Sequence, residues 1–291
     1  MSAQITSHDV PVTGGTLRVL SFGSGGRPLL AAHGVTASAM CWQAVARALP
    51  AGWTLHAVDL RGRGHSAALP EPFGFDAHTD DLLRTCAFLG LDRPVLTGHS
   101  LGAYVALLAH AARPDAFGRL VLLDGGLPLP VPEDADLDAL MAASLGPAIA
   151  RLAQTYPTPE AYAKFWQAHP ALTDWSADIE DYVRYDLTGE PGALRSRVNP
   201  ESVRADSREL LTAGPRISAA LHGLAGPTPL LRAPAGMFGQ PPGLLPDEAV
   251  RHWQAEAPAL RVSTVSGTNH YSILFAPHAA AAAAAALTAA S

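Results

Sequence analysis

The sequence predicts an α/β fold, a mostly parallel central sheet flanked by helices, with a helical block inserted late in the chain. Two observations carry this. Short apolar β-like runs alternate with helical stretches of roughly 10–15 residues, the rhythm of βαβ units. That rhythm stops at about Leu127 and resumes after Ala225. The expected division is therefore a core domain of residues 1–126 and 226–291 and a helical cap domain of residues 127–225.

The elements follow in order. Thr16 to Phe22 reads as a strand and Gly23 to Arg27 as a turn. Pro28 to Ala32 is a buried strand ending at His33-Gly34. Ser38 to Leu49 has helical spacing, with Ser38 placed to cap it. Trp53 to Val58 is a strand ending at Asp59, and Asp76 to Leu89 is helical. Pro94 to Thr97 is a short buried strand that runs into an apolar helix ending near His110. Arg119 to Leu123 is a strand ending at Asp124. The insertion reads as helices between Pro- and Gly-rich breaks, with no strand. Strands return at Thr228 to Arg232 and Leu260 to Val265, around a helix near Asp247 to Ala257. The alanine run 279–286 reads as a C-terminal surface helix.

Composition narrows the function classes. A 291-residue chain that is 48% hydrophobic can bury a sizeable core. Its net charge of −6 and its single lysine, Lys164, argue against a nucleic-acid groove or a polybasic membrane patch. Cys41 and Cys86 form no C-x-x-C pair, and the first residues lack a basic segment followed by an apolar one. The apolar stretch Leu101 to Ala112 is too short to span a bilayer. These features predict a reduced, cytoplasmic protein acting on a small-molecule substrate, with no nucleic-acid or membrane partner. Oligomeric state is left open. None of the twelve histidines falls in a metal-ligand spacing, so neither metal nor cofactor is expected.

Gly98-His99-Ser100-Leu101-Gly102 is a G-x-S-x-G pentapeptide between a buried strand and an apolar helix. That context is what a nucleophile elbow requires, a sharp strand-to-helix turn presenting the serine beside a helix N-terminus. At this point the chain resembles the α/β-hydrolase superfamily. His33-Gly34-Val35-Thr36 is similar to the family's H-G-x loop. Asp59 to Ser66 is similar to its D-x-R-G-x-G-x-S segment, and Gly267 to His270 to its histidine loop.

The resemblance implies a fold, a Ser-acid-His order and a set of roles. Ser100 is the expected nucleophile and His270, late in the chain, its base. The backbone N–H groups of Val35 and Leu101 are the expected oxyanion hole. The acid is ambiguous. The strand after the cap runs into residues 232–239, which hold no carboxylate, a departure from the commoner pattern. Asp124, at the end of the strand before the cap, is the expected acid, as in some lactonases, dehalogenases and lipases. Asp247 is the rival. His33 and Gly34 are expected near the substrate, with His33 orienting the oxyanion loop and His99 packing beside the elbow. Asp59 and Arg61 are expected to bond locally.

Six of the eleven Trp and Tyr residues lie in the insertion. They line the substrate pocket or form the cap's own core. Trp166 and Tyr185 are named as pocket members, with Met237 and Phe238 after the returning strand. The expected activity is hydrolysis of an ester or lactone of a small apolar or aromatic molecule. A C–C bond hydrolase, a cofactor-free perhydrolase and a non-catalytic ligand receptor are the alternatives on the same fold.

Overall fold

The computed structural model describes residues 5–132 and 134–290, without the side chains of residues 142–148. It opens with β1 (Ile5–Val12), β2 (Gly15–Phe22) and β3 (Arg27–Ala32), followed by α1 (Gln43–Ala48), β4 (Trp53–Val58), α2 (Phe75–Leu89) and β5 (Val95–His99). The elbow leads into α3 (Leu101–Ala112) and β6 (Leu120–Leu123). The insertion carries α4 (Leu137–Leu152), α5 (Pro159–Gln167), α6 (Ala177–Tyr185), β7 (Leu187–Thr188), β8 (Arg195–Ser196), α7 (Pro200–Thr212) and α8 (Gly214–His222). The chain closes with β9 (Thr228–Arg232), α9 (Asp247–Glu256), β10 (Leu260–Thr264), α10 (Ser272–Phe275) and α11 (Pro277–Thr288).

Eight strands form one sheet in the order β1-β2-β4-β3-β5-β6-β9-β10. The first two pairings, β1 with β2 and β2 with β4, are antiparallel, and the rest are parallel. The central strands are buried on both faces, which is why they read as continuous apolar runs rather than alternating ones. β1 was missed in the sequence because its residues, ITSHDVPV, are mostly polar. It is a largely exposed edge strand, where only one face needs apolar residues.

Two details correct the sequence reading, and a third concerns how the insertion packs. The insertion does contain strands, the two-residue pair β7–β8, too short to leave a periodic signal. Ser38 makes no side-chain cap; the Ala39 N–H at that helix start is taken by Asp59 Oδ1 at 2.8 Å. α8, read as part of the insertion, packs on the core helix α3, and Ile217, Ala220 and Leu221 share one apolar cluster with it. The alanine-rich α11 lies against α1 and buries Ala279, Ala280, Ala283, Ala284 and Leu287 along one face.

The insertion is held to the rest of the fold by polar contacts from both ends. Gln43 on α1 donates to Asp178 and Asp181 of α6, and Arg47 bridges Asp178. On α7, Asp206 pairs with Arg63 at 2.5 Å and with His78 at 3.0 Å, all three side chains fully buried. Among the described residues no helix is long and apolar enough to cross a membrane.

Candidate active site

Ser100 occupies the turn between β5 and α3 with φ +54° and ψ −124°. L-residues rarely adopt this region, and such strain persists only where neighbours enforce it. The flanking glycines show how. A Cβ on Gly98 would sit 1.9 Å from the Gly102 carbonyl oxygen, and one on Gly102 would sit 2.2 Å from that of Ala32. Strand and helix thus approach more closely than side chains permit.

Asp124 follows β6 and also has positive φ, +44°. Its Oδ1 accepts the Ala233 N–H at 3.0 Å, and its Oδ2 lies 2.7 Å from His270 Nδ1. A carboxylate can only accept, so Nδ1 carries a proton, and Nε2 is the nitrogen turned away from Asp124. His270 sits in a loop fixed by Asn269. Asn269 Oδ1 accepts from the N–H groups of Tyr271 and Ser272, and its amide donates to the Ala171 carbonyl of the cap. Asp247 is remote from this assembly. It is largely exposed and pairs with Arg232 at the start of α9.

The loop after β3 is fixed from below. His33 is fully buried, with Nε2 accepting the Leu60 N–H at 3.0 Å and Nδ1 donating to the Gly34 carbonyl at 2.7 Å. Burial holds its pKa down to about 3, so it stays neutral. Arg63 Nε donates to the Val35 carbonyl at 2.9 Å. Arg63 in turn is the partner of Asp206 on the cap helix α7. One buried side chain therefore touches both the loop over Ser100 and a helix that roofs the cavity.

That cavity has two lobes meeting at Ser100, His270, Val35 and Met237. One lobe is bounded by Gly34, His99, Cys41, Tyr182, Tyr271 and Phe275. The other is bounded by Leu101, Tyr104, Leu129, Met141, Ser207, Leu210, Leu211 and Leu244, an almost entirely apolar wall.

Of the residues singled out from sequence, Ser100, His270, Val35, Leu101, Gly34 and Met237 line this space. Four residues expected beside the substrate do not line it. His33 lies beneath its loop and holds it through Gly34. Trp166 is buried in the cap among Tyr162, Tyr182 and Tyr271, with Arg151 over its ring at 4.9 Å. Tyr185 donates to Asp59 Oδ2 at 2.7 Å and packs on His65, so it pins α6 to the loop after β4. Phe238 is 47% exposed and stacks on His169. Asp59 and Arg61 also reach further than expected, Asp59 to Tyr185 and Arg61 to Asp81 of α2 at 2.7 Å. Sequence reasoning did not single out Tyr182 from the other aromatics of the insertion, and it missed Leu210 and Leu211. Leu210 and Leu211 stand beside each other on the amphipathic α7, a signal that marks a buried face and not what it faces.

The fold brings together one cluster of potential metal ligands among the described residues: atoms of His99, Asp124 and His270 within 4.8 Å of one another. Sequence spacing did not display it. Asp124 and His270 already bond each other, and His99 Nε2 faces the His270 carbonyl at 2.8 Å.

A nucleophile elbow on a mostly parallel sheet, with a histidine and an aspartate delivered by later loops, defines an α/β-hydrolase architecture. The alpha/beta hydrolase family model matches residues 29–284, and the chain belongs to that family. It is 36% identical over 125 residues to N-formylmaleamate deformylase of Pseudomonas putida, covering 43% of this chain and 47% of that protein. It is 37% identical over 139 residues to lipase LipV of Mycobacterium tuberculosis, covering 46% of this chain and 52% of that one. The chain thus spans about half the length of these curated relatives. Among solved structures, E-2-(acetamidomethylene)succinate hydrolase superposes with a TM-score of 0.80 at 23% identity, covering 99% of this chain and 100% of that one, a likeness of fold.

Proposed function

We propose that the protein is a serine hydrolase that cleaves an acyl carbonyl compound, in the first place a carboxylic ester or lactone of a small, neutral, apolar or aromatic molecule. The observation that carries this is the strained Ser100 sharing one cavity with a histidine whose far nitrogen is held by a buried aspartate. In this reading His270 Nε2 takes the Ser100 proton as Oγ bonds to the carbonyl carbon. The Val35 and Leu101 N–H groups stabilise the oxyanion. The C–O bond then breaks, and His270 delivers the proton to the leaving alcohol. Water, deprotonated by His270, attacks the acyl-serine and releases the acid. Asp124 holds the ring and stabilises its charged form.

The lobe walls support a neutral substrate. Leu129, Leu210, Leu211 and Leu244 suit a hydrocarbon group, and Tyr182 and Phe275 suit a flat one. A second reading is cleavage of a C–N bond, favoured by the relative named as a deformylase. Lipase LipV favours the ester. The test is intact mass after treatment with a fluorophosphonate. One adduct on wild type, absent from Ser100→Ala and slowed in His270→Ala, is the expected result. No adduct under conditions that label a control hydrolase would count against the reading and bring the receptor alternative forward.

A further inference from the structure

Two phenols line the aromatic lobe, Tyr182 near the end of α6 and Tyr271 next to His270. Neither hydroxyl makes a hydrogen bond among the described residues. The other tyrosines of the insertion differ: Tyr156 bonds Gln154, Tyr162 bonds Asp186 and Tyr185 bonds Asp59. A buried tyrosine hydroxyl ordinarily finds a partner. These two are also reachable. The Tyr104 hydroxyl on the other lobe is sealed off, whereas those of Tyr182 and Tyr271 keep accessible surface. Tyr182 is only 4% exposed, and the lobe is where that surface lies.

Their chemistry selects the ligand atom. Burial pushes both phenols above their usual range, so both carry their protons near neutrality. A protonated phenol donates better than it accepts, because the ring draws density from the oxygen. Arg151, the cation that acts on both, is buried and paired with Asp186 at 2.9 Å. Among the described residues no Arg or Lys lines either lobe. The lobe therefore offers donors without a free charge. It also lies along the base: the His270 ring is flanked by those of His99 at 4.7 Å and Tyr271 at 5.9 Å, both on this lobe. In the reaction above the leaving oxygen takes its proton from that ring. The group on that oxygen enters the aromatic lobe, and the acyl chain enters the apolar one.

We propose that Tyr182 and Tyr271 are specificity-determining residues that donate hydrogen bonds to an uncharged acceptor oxygen on a flat leaving group, so that the preferred substrates are aliphatic esters of phenols or aryl alcohols bearing a carbonyl. This rests on the serine-hydrolase reading above and deepens its ester form.

The experiment uses esters that differ only in a carbonyl oxygen against a CH₂ group, acetylphenyl butyrate and isopropenylphenyl butyrate. The 3- or 4-acetyl isomer that wild type cleaves better is taken, with its isopropenyl counterpart. The readout is the acetyl-to-isopropenyl ratio of kcat/KM. Comparing each variant's ratio with that of wild type cancels both the difference in leaving-group acidity and any damage common to the pair. Tyr182→Phe and Tyr271→Phe each remove one oxygen, and the ratio is expected to fall about fivefold or more in each. It is expected to stay within about twofold in Tyr156→Phe, whose hydroxyl serves Gln154. An unchanged ratio in either lobe variant, or an equal fall in Tyr156→Phe, overturns the proposal. So does a fall seen instead with ethyl 4-acetylbenzoate and its isopropenyl analogue, which would put the flat group on the acyl side. A wild type that is labelled at Ser100 but cleaves neither butyrate also overturns it and leaves the serine-hydrolase reading standing. An unlabelled Ser100 overturns both.

Discussion

Asp124 Oδ2 and His270 Nδ1 stand 2.7 Å apart across 146 residues of chain, one at the end of β6 and the other in the loop beyond β10. The whole cap and two strands of the sheet intervene in sequence. The pairing fixes which nitrogen of His270 faces Asp124 and, in the proposed mechanism, leaves Nε2 to act as the base. Asp124→Asn keeps an oxygen for the Ala233 N–H but cannot hold that tautomer. The expected loss is about 10⁴-fold in kcat. Asp247→Asn, on the far side of β9, is expected to leave kcat within about twofold. Steady-state kinetics on both variants, with circular dichroism to confirm folding, check the pair.

Arg63, Asp206 and His78 tie α7 of the insertion to the segments after β4 and in α2 without exposure to solvent. Asp206→Ala removes the counter-charge and strands a buried guanidinium, which costs about 3–5 kcal/mol. Because Arg63 also donates to the Val35 carbonyl, labelling of Ser100 should slow in the same variant. Arg184→Ala, which breaks half-exposed pairs with Glu160 and Glu180, should cost about 0–1 kcal/mol. Urea denaturation distinguishes the two, and equal midpoints would contradict the assignment.

Gly34→Ala places a methyl group 3.2 Å from Ser100 Cβ and 3.6 Å from Ser100 Oγ, crowding the space beside the serine. Its backbone needs no positive φ, so restriction of the unfolded chain offsets the tight contact and stability should change by about 1 kcal/mol or less. Activity should fall on the order of 10²-fold. The measurement is kcat/KM beside the thermal midpoint; a large drop in both would point to a structural role instead.

Leu211 belongs to the wall of the apolar lobe. Leu211→Trp fills space that a longer acyl chain would occupy, at a cost of about 0.8 kcal/mol per methylene excluded. The kcat/KM ratio of 4-nitrophenyl octanoate to acetate should therefore fall by about tenfold or more. A ratio that does not move would place the acyl chain in the other lobe.

Acid should destabilise the fold over a defined window. Burial lowers His33 and His99 from 6.5 to about 3, and His56 to about 4. Between those values and 6.5 the unfolded chain binds protons that the folded one refuses, so stability is lost as pH falls below 6.5. Asp59 works oppositely. Burial raises it from 3.8 to about 6, so the folded state holds its extra proton between those values. At pH 5 these four groups give a net uptake of roughly two protons on unfolding, a slope of about 3 kcal/mol per pH unit. The urea midpoint should drop between pH 7 and pH 5, and more shallowly in His56→Gln.

The strand–helix alternation, the elbow and the loops holding His33 and Asp59 were legible in the sequence because each is local. A strand running into Gly-x-Ser-x-Gly and then an apolar helix has few other ways to fold, and the glycines are required by contacts within a few residues. Asp124 could be ranked above Asp247 only by resemblance to some family members and by the lack of a carboxylate in residues 232–239. Tertiary structure decided the rest. Trp166 and Tyr185 look like Tyr182 in sequence, yet the first lies under Arg151, the second bonds Asp59, and only the third reaches the cavity. Which face of a cap helix meets Ser100 depends on how α6 and α7 dock, through Gln43 and Arg63 more than 100 residues away. Periodicity reports that a face is buried, and only packing reports what it is buried against.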